Sequence, residues 1–293
     1  MSVSDIAPIH LNDDVALFRE ALTYTAAETG FIARLIEKDY FCTVLLQYMA
    51  EERYGLVFRG GTCLAKVHSG FYRLSEDLDF VIPTPVDASR AERGRRVTAS
   101  KEAVTSLGKH LPGLRVTTAL TGANDSAQYN AALGYTSVLS SQVETIKIEV
   151  SLREPLLRPS IRGGAQTLLL DPISGSPLLS ALPVPCLSRE EAMAEKLRAA
   201  LSRRDVVIRD FYDVDHAARR LTLRVLDPEF VDLVRVKLAM PGNEAVDVSA
   251  ARLAALRRQL EAQLKPVLRA RDFAEFDLER AFATVASVAA ALG

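Results

Sequence analysis

Apolar residues recur at helical spacing over residues 13–54: Leu17, Ala21 and Leu22, then Ile32, Leu35, Ile36, Val44, Leu45 and Tyr48. Thr29-Gly30 interrupts the run and predicts two helices. After Arg53-Tyr54-Gly55 the period changes. Leu56-Val57-Phe58 is a short apolar run that stops at Gly60-Gly61, the pattern of a strand entering a turn. Residues 62–70 read as a short helix, and residues 77–82 alternate polar and apolar before Pro83, which predicts a strand. A helix is expected over residues 88–111, basic in its first half at Arg90, Arg93, Arg95 and Arg96. Strands are expected over 114–120, 134–139 and 144–152, with 121–130 as a polar loop or a long hairpin tip.

Residues 171–188 are rich in Pro, Ser and Gly and hold one short apolar run, Val184 to Leu187. Beyond them the pattern is helical throughout. Ser188 and Glu191 form a capping box, and Leu253, Leu256, Leu260 and Leu264 make an amphipathic stripe. The expected organisation is an α+β chain with a mixed lobe over 1–187 and a helical lobe over 188–293.

Composition narrows the class. The chain has 293 residues, 48% hydrophobic and 25% charged, enough apolar surface for a packed core and too much for a disordered chain. Its formal net charge is −1, so no global field marks a nucleic-acid or membrane binder; a partner of that kind needs a local patch. No apolar run approaches the ~20 residues that span a bilayer, and the first residues do not read as a signal peptide. Cys42, Cys63 and Cys186 are odd in number, far apart and without a CxxC pair, which supports neither a disulfide framework nor a zinc site. A cytoplasmic protein is expected.

The densest chemical signal is Phe58-Arg59-Gly60-Gly61-Thr62 followed by Arg73-Leu74-Ser75-Glu76-Asp77-Leu78-Asp79-Phe80. A strand ending in Gly-Gly-Thr before a helix exposes backbone amides that suit a phosphate, although the same turn is ordinary in strand–helix connections. Asp77 and Asp79, two apart on the expected strand, would send both carboxylates from one face, and like charges side by side call for a cation or a basic group. Magnesium takes oxygen ligands, commonly one or two carboxylates with substrate phosphates. Glu149 lies in a strictly alternating segment with Thr145 and Lys147 on its face. If that strand pairs beside the aspartates, Glu149 can complete a two-metal carboxylate cluster. The alternation equally describes any half-exposed strand.

In the helical half, Lys196 has apolar helical neighbours, Ala192, Met193, Ala199 and Ala200, so its ammonium either finds an anion such as a phosphate or snorkels at the stripe edge. Asp210 and Asp213 share a helix face, where Arg209 can reach Asp213, as in an ordinary surface ion pair.

Glu37-Lys38-Asp39-Tyr40, Gly60-Gly61-Thr62, Arg73 to Phe80, Lys147-Ile148-Glu149, Glu195-Lys196-Leu197-Arg198 and Arg209-Asp210-Phe211-Tyr212-Asp213 occur in that order. Together they resemble the AbiEii/MenT nucleotidyltransferase-like toxins of bacterial type IV toxin–antitoxin systems. The resemblance implies a polymerase β-type nucleotidyltransferase lobe followed by a helical lobe. It further implies Mg²⁺-dependent transfer of nucleotides from an NTP to the 3′ acceptor end of tRNA, which blocks translation, and a cognate AbiEi-like antitoxin. Carried over, Gly60, Gly61, Thr62 and Ser75 would cradle the triphosphate, and Asp77 and Asp79, with Glu149 as a third ligand, would hold two metal ions. Lys196 would bind phosphate and Asp213 would be a late catalytic aspartate. Ser75 falls where the family places a serine linked to inactivating phosphorylation. Two other readings remain beside this one. The same lobe can modify a protein hydroxyl or a small molecule, or it can be a degenerate NTP-binding module, against which the retention of both aspartates and Lys196 argues.

Overall fold

The computed structural model describes residues 10–293, which form two compact units, one running to Leu187 and the other Ser188–Gly293. The first unit opens with α1 (Val15–Thr29) and α2 (Ala33–Met49), separated by Gly30, whose left-handed φ of 76° ends α1. A sheet follows, built from β1 (Val57–Arg59), β2 (Leu78–Val81), β3 (Leu114–Ala123), β4 (Gln128–Thr136), β5 (Val143–Ser151), β6 (Ile161–Ala165) and β7 (Leu182–Cys186). Their spatial order is β3-β4-β5-β2-β1-β7-β6. β1 is antiparallel to β2 and parallel to β7, while β2 is parallel to β5, so the chain's earliest strands occupy the middle of the sheet.

Helix α2 is buried along most of its length, and Phe41 stacks on Tyr135 of β4 with ring centroids 4.0 Å apart. That burial extends to charged side chains, each of which has a partner. The Glu37 carboxylate accepts from Ser137 Oγ at 2.6 Å and the Val138 amide at 2.7 Å. Lys38 meets Glu76 at 2.9 Å, and Asp39 meets Lys66 at 2.7 Å. Burial pushes the Glu37 carboxyl above the usual carboxylate range, against these two hydrogen bonds.

The remaining helices of this unit are α3 (Gly60–Cys63), α4 (Arg90–Arg96) and α5 (Thr98–His110). The long basic helix expected over 88–111 is therefore broken at Val97, and the expected helix over 62–70 begins at Gly60 and ends as a π-helical turn, Leu64–His68. Of the two expectations for 121–130, the structure shows the long hairpin tip. β3 and β4 run on to a tip where Asn124, Asp125 and Ser126 take left-handed φ of 50–61°, a conformation open to short polar residues. β6 was not foreseen, because its Ile161-Arg-Gly-Gly-Ala165 sequence carries glycines where a strand pattern needs side chains.

The second unit is helical: α6 (Arg189–Ser202), α7 (Ile208–Arg220), α8 (Pro228–Leu238), α9 (Ala250–Arg257), α10 (Ala270–Glu275) and α11 (Leu278–Ala291). Ser188 caps α6 by accepting from the Glu191 amide at 3.2 Å, while the Glu191 carboxylate meets the buried ammonium of Lys237 at 2.8 Å. The stripe on and after α9 is buried at Leu256 and Leu264. Among the described residues, no helix is long and apolar enough to cross a membrane.

Candidate active site

The centre of the sheet places the candidate residues. β1 delivers the chain to Gly60, whose φ of +77° only a glycine adopts without strain. The second reason for glycine is space, since a Cβ at Gly60 would lie 2.9 Å from both Cβ and Cγ of Asp79. At Gly61 a Cβ would lie 2.5 Å from Arg73 Nη2 and 3.1 Å from Ser75 Oγ. The glycine turn is thus packed on the Arg73–Asp79 segment. The Thr62 hydroxyl donates to the Asp77 carbonyl oxygen, which commits that side chain to positioning the loop and leaves its backbone facing the turn.

Strand pairing sets the carboxylates. Asp79 is opposite Arg59 on β1 and opposite Glu149 on β5. In a parallel pair, residues in register project from the same face, so Glu149 shares the face of Asp79. Asp77 lies one residue before β2 rather than within it, and its Oδ1 accepts from the Lys147 amide at 3.3 Å. Asp77 thus lies beside Lys147, one position before the paired residues Leu78 and Ile148. Glu149 accepts from Gln128 Nε2 at 2.8 Å. Among the described residues, the carboxylates of Asp77, Asp79 and Glu149 do not form a set mutually within 4.8 Å. Asp77 and Asp79 remain half-buried, hard oxygen donors beside a turn of close-packed backbone, a donor set that fits a small divalent cation.

Arg73 is a residue that sequence reasoning missed. It is 2% exposed, donates to the Leu74 carbonyl at 3.1 Å, and its guanidinium backs Gly61. Its signal was its place in the Arg73–Phe80 run, but nothing in the pattern showed that it would be buried. Lys66 was missed for the same reason. Its ammonium is enclosed by Asp39 Oδ1 at 2.7 Å, Thr43 Oγ1 at 2.7 Å and the Gln166 carbonyl at 3.2 Å, which ties the end of the turn to α2.

Within the second unit, Lys196 Nζ lies 2.9 Å from both Asp210 Oδ1 and Asp213 Oδ2. Arg203 meets the other oxygen of Asp210 at 3.0 Å. Both aspartates are buried, so this is not the exposed surface pair expected of α7. The ammonium finds its anions within its own unit. Beside the cluster, burial lowers the His216 imidazole to about 4, so it is neutral at neutral pH.

A glycine turn packed against acidic residues at the centre of a mixed sheet, followed by a helical unit, is an arrangement of the nucleotidyltransferase class. The family model described as nucleotidyl transferase AbiEii toxin, type IV TA system, matches residues 44–288, and the chain belongs to this family. Solved structures similar to it include MenT4, a nucleotidyltransferase toxin from Mycobacterium tuberculosis H37Rv, at 20% identity, covering 99% of this chain and 96% of that one with a TM-score of 0.44. JHP933 from Helicobacter pylori is 16% identical, covering 89% of this chain and 93% of that one with a TM-score of 0.47. No curated protein matches the chain. Membership implies an NTP substrate, a divalent metal and, for a type IV system, an antitoxin partner.

Proposed function

We propose that this chain is a toxin that transfers a nucleotide from an NTP to the 3′ acceptor end of tRNA in the cytoplasm, with Mg²⁺ as its metal, and so blocks translation. The observation that carries the reading is the seating of Asp79 directly on Gly60, beside Gly61, Thr62 and Asp77. Phosphate oxygens can approach a bare glycine backbone, and the two carboxylates beside it balance a cation that the triphosphate brings. The tRNA acceptor and the metal identity rest on the family resemblance.

In this reading Asp77 and Asp79 hold the metal, and Gly60, Gly61 and the Thr62 backbone cradle the triphosphate. Bound Mg²⁺ would supply charge neutralisation at the α-phosphate and the departing pyrophosphate. Thr62 holds Asp77 in place through its main chain, and Arg73 supports Gly61 from behind. The acceptor hydroxyl forms a bond to the α-phosphorus as the bond to pyrophosphate breaks, and its proton leaves to a base or to water. Glu149, in register with Asp79 on the same face, would be the third metal ligand that the resemblance assigns. The roles of Lys196 as phosphate ligand and Asp213 as late catalytic aspartate rest on the family resemblance alone; within the second unit the two side chains are paired with each other at 2.9 Å. Ser75, against Gly61, is where a phosphoryl group would fill the cradle and silence the site.

The test is incubation of the purified protein with Mg²⁺, total cellular RNA and each α-labelled NTP in turn, resolved by gel. Label in the tRNA band, lost in Asp79→Asn, is expected. Label confined to protein or small molecules would replace the acceptor, and no label with any NTP would refute transfer.

A further inference from the structure

We propose that Cys63, His68 and Cys186 form a zinc site, separate from the carboxylates and built into the turn that carries the glycine cradle. Their ligand atoms lie mutually within 4.8 Å, a convergence that the wide sequence spacing of the cysteines had argued against. Two thiols and one imidazole are a donor set that zinc favours over magnesium, and three protein ligands leave a fourth position for water.

The backbone explains how residues so placed meet. Cys63 and His68 are five apart, and on an α-helix they would stand about 140° apart around the axis. The π-helical turn Leu64–His68 follows Cys63 directly, and its i→i+5 pattern brings residues five apart to one side. Cys186 comes from β7, which lies parallel to β1 with Phe58 opposite Cys186. The three ligands thus join both ends of the turn after Gly60-Gly61-Thr62 to the neighbouring strand.

The surroundings suit a metal. His68 Nε2 lies 3.0 Å from the Leu187 carbonyl oxygen, which can only accept, so Nε2 carries the proton and the neutral ring keeps a lone pair at Nδ1. A ligating histidine is commonly oriented by this kind of hydrogen bond. Gly163 stands so close that a Cβ there would lie 2.8 Å from Cys186 Sγ, and its amide hydrogen-bonds the sulfur. Both cysteines are fully buried, and a doubly charged cation neutralised by two thiolates leaves no net charge there. Binding releases the two thiol protons to water. His68, half-exposed, gives the ion its way in.

The experiment uses the full chain, reduced, stripped with a chelator and reloaded with zinc or cobalt(II). About one zinc per chain is expected, and cobalt should show a thiolate-to-metal charge-transfer band with tetrahedral visible bands. An excess of Mg²⁺ should not displace either ion. Asp77→Asn with Asp79→Asn should leave the zinc content unchanged, so the outcome is independent of the nucleotidyl-transfer reading. His68→Gln, a half-exposed position that need not disturb the core, should abolish stoichiometric binding while circular dichroism stays that of the wild type. The proposal is overturned if reduced wild-type protein takes up no stoichiometric zinc. It is equally overturned if the cobalt spectrum lacks the thiolate band, if His68→Gln binds as tightly as the wild type, or if the two sulfurs are recovered as a disulfide without metal.

Discussion

Gly60→Ala is the most informative perturbation of the candidate site, because Gly55 supplies a matched control. Both glycines sit at left-handed φ, +77° and +63°. Alanine in that region costs about 1–2 kcal/mol at either position. The difference lies in space. Nothing stands within 4 Å of a Cβ at Gly55, whereas at Gly60 it would lie 2.9 Å from Asp79 Cβ and Cγ. Carbon contacts relax to about 3.5–4.0 Å, so Asp79 must withdraw by roughly 1 Å. Its backbone cannot follow, being paired with Arg59 on one side and Glu149 on the other. The carboxylate must swing away, and the glycine turn itself must shift to clear the Asp79 Cβ.

A misplacement of about 1 Å at a reacting centre costs on the order of 10²-fold in rate. The expected result is that Gly60→Ala loses more stability in urea unfolding than Gly55→Ala, because the Asp79 contact adds to the backbone cost the two share. Gly60→Ala alone should lose about 10²-fold in NTP incorporation, with Gly55→Ala near the wild-type rate. Equal rates in the two variants would refute the placement of Asp79 at the reacting centre. Equal losses would refute it too, by tracing the effect to backbone strain.

Three further outcomes test other parts of the molecule. Lys66→Met should destabilise the chain by about 3–5 kcal/mol in urea unfolding, because it leaves the buried Asp39 carboxylate without its cation. Lys196→Met should likewise destabilise, since both buried aspartates lose the ammonium 2.9 Å away; if Lys196 also binds phosphate, KM for the NTP rises at temperatures where the variant is folded. His216 is lowered by burial from 6.5 to about 4, so the unfolded chain takes up its proton first as pH falls. The stability this provides is complete above about pH 6.5 and is lost as pH drops towards 4, by about 3 kcal/mol, and a His216→Gln variant should show a correspondingly flatter dependence in urea midpoints over that window.

Much of the fold was legible because its local signals are strong. The break at Thr29-Gly30 is a left-handed glycine cap, β1 opens with the apolar pair Val57-Phe58 and runs into the glycine turn, and the alternation over 144–152 follows side chains that switch between core and solvent. The elements that were misread are those whose side chains carry little of that contrast. β6 has two glycines, and β3 is an edge strand with mostly exposed residues. At the site, Gly60, Gly61, Thr62 and the aspartates were visible as a motif, since glycine and paired acids are uncommon choices for a core turn. The partners of that motif were not visible. Arg73, Lys66 and Asp39 are charged residues enclosed by segments remote in sequence, and a charge pattern alone reads as solvated surface. The same limit hid Cys63, His68 and Cys186, which only the π-helical turn and the β1–β7 pairing bring together.

The buried charges suggest why the glycine turn needs so much support. A cradle for phosphate must present bare backbone, and bare backbone offers few side-chain contacts to hold its shape. Here rigidity comes from behind the turn: Arg73 against Gly61, the Thr62 hydroxyl on the Asp77 carbonyl, and Lys66 tying the π-helical turn to Asp39 and Thr43 of α2. Replacing such a buried pair with apolar side chains of equal volume can leave stability unchanged, so the pair's value lies in fixing one arrangement. A Lys66→Met, Asp39→Leu double variant separates the two effects. It should recover much of the stability that Lys66→Met loses and still transfer nucleotides slowly, because an apolar contact does not hold the register of the turn. Recovery of both stability and rate would show that packing alone positions the cradle.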